Sequence, residues 1–144
     1  MSIPPLRPGV TAVANDAPPV AMAASAAVLD PAALARLIEL DPTGKNQLLE
    51  RVFKAFESGA ARLMPQLREA RRNADGAGMH YVAHTLKSSS ASIGALRLAA
   101  LCAEVEGRVR LGPGADLESR ADELVAEVGI VLEALKQTLE AKKP

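Results

Sequence analysis

Aromatic residues are almost missing from this chain of 144 residues: they make up 2% of it, with no Trp, one Tyr and two Phe. A core built without them must rest on Leu, Val, Ile, Ala and Met. That choice suits helices better than a sheet, because β-branched and aromatic side chains favour strands. There is one cysteine, Cys102. It has no partner for an internal disulfide and cannot build a thiolate cluster, and a reducing compartment fits it. No surplus of basic charge exists either, since 17 Lys and Arg balance 17 Asp and Glu. The electrostatic footprint of a nucleic-acid binder is therefore absent. No apolar run is long enough to span a bilayer. Pro4, Pro5 and Pro8 interrupt the stretch where a signal peptide would need a continuous apolar helix. These absences predict a cytoplasmic protein that touches neither membrane nor nucleic acid.

Two regions differ in composition. Residues 1–27 hold five of the 10 prolines and, beyond Arg7 and Asp16, no charge. Without a helical face to bury, they are expected to form a flexible Pro/Ala-rich tail, with a short helix over 21–27 as the alternative. Residues 28–144 read as one helical domain. Asp30-Pro31 is a helix start, a capping carboxylate followed by proline at the first helical position. Leu34, Leu37 and Ile38 give this first short helix its apolar face.

Four longer helices are predicted after it. The first, over about 45–72, carries the stripe Leu49, Val52, Phe53, Phe56, Ala60, Leu63 and Leu67. Pro65 lies inside it and is expected to bend or split it near Arg62. The next covers about 77–93. A further one, over about 96–111, faces Leu98, Leu101, Cys102, Val105 and Val109 inward. The last runs over about 117–141. Turn residues between these segments are short, so the helices must close on each other. The expected fold is all-α, an antiparallel up-down four-helix bundle with a short additional N-terminal helix.

The chemistry-bearing segment is Ala83-His84-Thr85-Leu86-Lys87-Ser88-Ser89-Ser90. At about 100° per residue, Met79, Val82, Leu86 and Ile93 fall within roughly 40° of the side opposite His84. Those four belong to the core, so His84 faces water. Lys87 follows one turn on. Ala77, Ser88 and Ala91 surround His84 with small side chains that would admit another protein surface, and His80 lies on nearly the same face. Imidazole is a competent nucleophile near neutral pH. A phosphoryl group on it would bring close to two negative charges, part of which Lys87 can offset. No G-x-x-x-x-G-K-[ST] loop and no kinase glycine loop is present, so the phosphoryl group would have to come from a partner.

Histidines four apart can bind zinc, but the glutamate of an H-E-x-x-H motif is missing, and no metal site is expected. The serines lack an acid or second base for a triad, and helical serines tend to bond their own backbone. Arg51, Lys54, Arg62, Arg68, Arg71 and Arg72 read as a solvated face, with steering of an acidic partner as the alternative.

The run from Ala83 to Ala95, followed by Leu98 and Leu101-Cys102, resembles the signature of the histidine-containing phosphotransfer (HPt) family, His-x-Leu-Lys-Gly-x-Ser-x-x-x-Gly-Ala and then Leu-x-x-x-Cys. The likeness extends over about 28–139. It implies His84 as the phospho-accepting residue, modified at Nε2, and Lys87 as the residue that contacts the phosphoryl group. Ser88 stands where that family usually has glycine. Ser88, Ala91, His80, Ala77 and Gly94 are then expected on the docking face or in close packing.

The resemblance further implies a phosphorelay intermediate without its own ATP site. Its partners would be the receiver domain of a hybrid sensor histidine kinase and that of a response regulator. Magnesium would be supplied by the receiver, with no cofactor bound by this chain, and a monomer would suffice. Two other readings compete with this one. One is the dimerising histidine domain of a sensor kinase, whose histidine is commonly followed by an acidic residue instead of Thr85. The other is a bundle used only for protein binding.

Overall fold

The computed structural model describes residues 28–142; the expected tail over 1–27 lies outside them. Among the described residues there are five helices and no strand: α1 Pro31–Leu40, α2 Leu48–Arg72, α3 Gly76–Ser92, α4 Leu96–Arg110 and α5 Ala115–Lys142. Each of α2 to α5 packs on the next, and α5 closes back onto α2, while α1 lies against α2. This is the four-helix bundle with a short leading helix.

Local chemistry sets the ends. Asp30 caps α1, its carboxylate accepting from the Ala32 N–H at 3.2 Å with Pro31 next in line. Helix α2 begins later than the apolar pattern predicts. Its cap position, Gln47, has φ 53° and provides no side-chain acceptor. Buried Asp41 serves instead from across the loop, accepting from Asn46 N–H at 3.3 Å and Leu48 N–H at 3.0 Å. Asp75 caps α3 through the Gly78 N–H.

Helix α2 runs unbroken through Pro65, contrary to the expected split. Pro65 and Ala61, whose carbonyl would have taken its missing hydrogen bond, are both exposed, so water can satisfy that group. In α1, Leu34 and Leu37 are half-buried as expected, but Ile38 is exposed and Ala33 is the buried residue. The cause is a close approach. Ala33 lies beneath Gly94, where an added Cβ would come within 2.9 Å of both Ala33 Cβ and the Asp30 nitrogen.

The core is aliphatic. Leu63, Leu67, Leu86, Ile93, Leu98, Leu124 and Val131 are fully buried around Phe53. Burial of each such side chain stabilises the fold by about 1.5–3 kcal/mol. No helix among the described residues is long and apolar enough to cross a membrane.

Candidate functional site

Helix α3 places its histidine as the periodicity requires. Met79, Val82, Leu86 and Ile93 are buried, together with Ala83 and Ser90. The His84 side chain is 67% exposed on the opposite side. Exposed Ala77, Tyr81, Ser88 and Ala91 lie on the same helix. The three serines before Ala91 are not a nucleophilic cluster. The hydroxyls of Ser89 and Ser90 both donate to the Leu86 carbonyl, at 3.1 and 2.7 Å, and the Ser88 carbonyl accepts from Ser92.

Gly94 does not belong to the exposed face. It is buried at the end of α3 with φ +81°. The Ala95 N–H reaches the Ser90 carbonyl at 2.9 Å and the Gly94 N–H reaches Ala91 at 3.1 Å, the paired bonds of a Schellman stop. Its own carbonyl accepts from Asp30 N–H at 2.8 Å, which pins the start of α1 to the turn between α3 and α4. Close packing is therefore its role.

The residue that sequence reasoning missed is Glu106. It projects from α4 and is 7% exposed. Its Oε2 lies 2.9 Å from His84 Nδ1 and 3.5 Å from His80 Nε2, and its Oε1 lies 2.5 Å from Lys87 Nζ. One buried carboxylate thus gathers all three basic groups of the α3 face. The signal was available: Glu106 is the charged member of the stripe running from Cys102 through Val105 to Val109, four residues after Cys102. His80 is half-buried by this arrangement, and its ring lies parallel to that of His84 with centroids 5.9 Å apart.

The electrostatics fix protonation. The Lys87 hydrogen bond holds the Glu106 carboxyl below its usual range, against the opposing effect of burial, and the His84 hydrogen bond adds to the lowering. Glu106 is therefore an anion at neutral pH and only accepts. The proton in the short contact must then reside on His84 Nδ1, so that in the neutral ring the lone pair is on Nε2. Nearby, burial pushes the Cys102 thiol up to about 12, with the Glu106 charge adding to the effect and Lys87 opposing it. Cys102 is an inert part of the core.

Of the basic residues along α2, Arg71 is committed to structure. It bonds Glu118 and Asp122 of α5 at 2.8 and 2.7 Å. Arg72 pairs with Glu69 in its own helix. Among the described residues, no group of three or more His, Cys, Asp or Glu side chains is arranged to hold a metal ion.

The comparisons with known proteins agree with this geometry. The family model of the Hpt domain matches residues 51–141, more than half of the chain. Among solved structures, the chain is similar to histidine-containing phosphotransfer protein B (HptB) from Pseudomonas aeruginosa PAO1. The two share 26% identity and superpose with a TM-score of 0.66, over 81% of this chain and 97% of that one. No curated protein matches. An exposed histidine on a bundle helix, the family match across that helix and its neighbours, and the likeness to a phosphotransfer protein lead to one conclusion: the chain belongs to the Hpt domain family, the phosphocarriers that work with receiver domains in phosphorelays.

Proposed function

We propose that this chain accepts a phosphoryl group on Nε2 of His84 from the phospho-aspartate of a hybrid sensor kinase's receiver domain, and passes it to the aspartate of a response regulator's receiver. The observation that carries the reading is the 2.9 Å contact between His84 Nδ1 and buried Glu106, on a ring two-thirds open to solvent. As the Nε2 lone pair forms its bond to phosphorus, the bond from phosphorus to the aspartate oxygen breaks and the carboxylate departs. The imidazole becomes cationic as the N–P bond forms. Glu106 faces the Nδ1–H where that charge is shared, and so stabilises it as it develops. Lys87, 39% exposed and bound to Glu106 by one of its three donors, offers the others to the phosphoryl oxygens. Exposed Ala77, Ser88 and Ala91 leave room for the receiver to approach.

Magnesium, in this reading, belongs to the receiver. The one carboxylate at the His84 site has both oxygens committed to His84 and Lys87, so the donor set does not fit a hard cation that demands several free oxygens. The test is incubation with phosphorylated receiver domains, followed by acid and base treatment. Wild-type protein should carry acid-labile, base-stable label, and His84→Gln should carry none while remaining helical. Undiminished labelling of that variant would reject the assignment.

A further inference from the structure

The cluster around Glu106 has more basic groups than the resting protein needs. At rest its one carboxylate faces one permanent cation, the Lys87 ammonium. Phosphorylation of His84, the reading on which this inference rests, changes the balance. The phosphoryl group brings close to two negative charges at neutral pH, the ring carries one positive charge while Nδ1 keeps its proton, and Lys87 is the one permanent cation in the cluster. A net negative charge is left beside a buried carboxylate, and Lys87 must divide its donors between two anions. One group is placed to answer this. His80 Nε2 lies 3.5 Å from Glu106 Oε2, and Glu106 is the only carboxylate among the described residues within 4.0 Å of it. The other groups facing it are His84, stacked at 5.9 Å on the same helix, and Lys87, across Glu106.

We propose that His80 is a positioning residue for the phosphorylated state: it takes up a proton from solvent when His84 is phosphorylated, and donates from Nε2 to Glu106 as Lys87 turns toward the phosphoryl group. The one bond formed on His80 is the N–H made by that proton, which solvent supplies. The coupling is reciprocal. Because the phosphorylated form binds this proton more tightly, phosphoryl occupancy gains from His80 as pH falls, and the gain is lost as pH rises past the point where phosphorylated protein releases the proton. One net charge about 6 Å away moves that point upward by roughly one pH unit.

The experiment uses the full chain equilibrated with phosphoramidate and ammonium, with the ring of His80 followed by NMR in the free and phosphorylated protein. His80→Gln identifies its signals, and His84→Gln shows where the label resides. The pH midpoint of His80 should rise by roughly one unit on phosphorylation. Labelled fraction in wild type relative to His80→Gln should reach up to about tenfold near pH ~6 and converge toward equality near pH ~9. An unchanged midpoint in protein labelled at His84 would overturn the proposal and leave the acceptor assignment standing. Protein that takes no label on His84 would overturn both.

Discussion

Replacing Glu106 with alanine separates the two things this carboxylate does. At His84 it provides one charge-assisted hydrogen bond, 2.9 Å long, to Nδ1, the nitrogen that does not react in the proposed transfer. Such a bond contributes about 1.5–3 kcal/mol. That contribution grows as the ring becomes cationic, so its loss falls mainly on the barrier. At 1.36 kcal/mol for each factor of ten, phosphotransfer in Glu106→Ala should slow by about 10- to 100-fold. Glu106→Gln should fall between that variant and wild type, since its amide oxygen can still accept from Nδ1–H.

Structure should change less than rate. Lys87 and His80 are both partly exposed and can turn to water once the carboxylate is gone. The sign of the pH effect follows from the lowered carboxyl. In wild type the stabilisation from Glu106 is present above the unfolded carboxyl's titration and is lost as pH falls through the lower folded value; the variants should lack this acid-side loss. The assay is single-turnover transfer from a phosphorylated receiver, with circular dichroism to verify helix content. Transfer at the wild-type rate by a well-folded Glu106→Ala protein would refute the role assigned to Glu106.

Three further outcomes are expected. Lys87→Ala should slow transfer by about three- to tenfold, the loss of one partly exposed point charge, without weakening receiver binding in a titration by more than about twofold. Gly94→Ala should lower stability by about 2 kcal/mol or more in urea unfolding, because φ is +81° and the new Cβ would press on Ala33 and on the Asp30 backbone. Ala74→Gly should act in the opposite direction, stabilising by up to about 1 kcal/mol in the same assay. Ala74 ends α2 at φ 52°, a conformation that glycine adopts without a Cβ penalty.

The sequence revealed the parts of this molecule that depend on one helix at a time. The exposure of His84 follows from its angle to Met79, Val82, Leu86 and Ile93, and all four are buried as that angle requires. The Asp30-Pro31 start of α1 is equally local. What sequence reasoning missed depends on two helices meeting. Glu106 is 22 residues from His84, and nothing in α4 alone says that its carboxylate meets His84 and Lys87. Its place beside buried Cys102 and Val105 marked it as an anomaly, and a charge in an apolar stripe is a reason to look for its partners on the facing helix. The split considered for Pro65 did not occur, for a related reason. A missing hydrogen bond matters most where the orphaned carbonyl is buried, and here the residue that carries it, Ala61, is exposed. Asp41 is a third case, since its capping of α2 depends on how the intervening loop folds back.

The turn from Ile93 to Ala95 is only three residues long, yet α3 and α4 between them carry every side chain of the cluster around Glu106. The proposed phosphotransfer site is thus housed in a single helical hairpin, with α2 and α5 as its outer support. Contacts so near in sequence form with little loop-closure cost. Protein engineering of the outer faces of α1 and α5 should therefore leave the phosphate-handling chemistry untouched, and divergence among carriers of this shape has room to accumulate there while the hairpin stays constant.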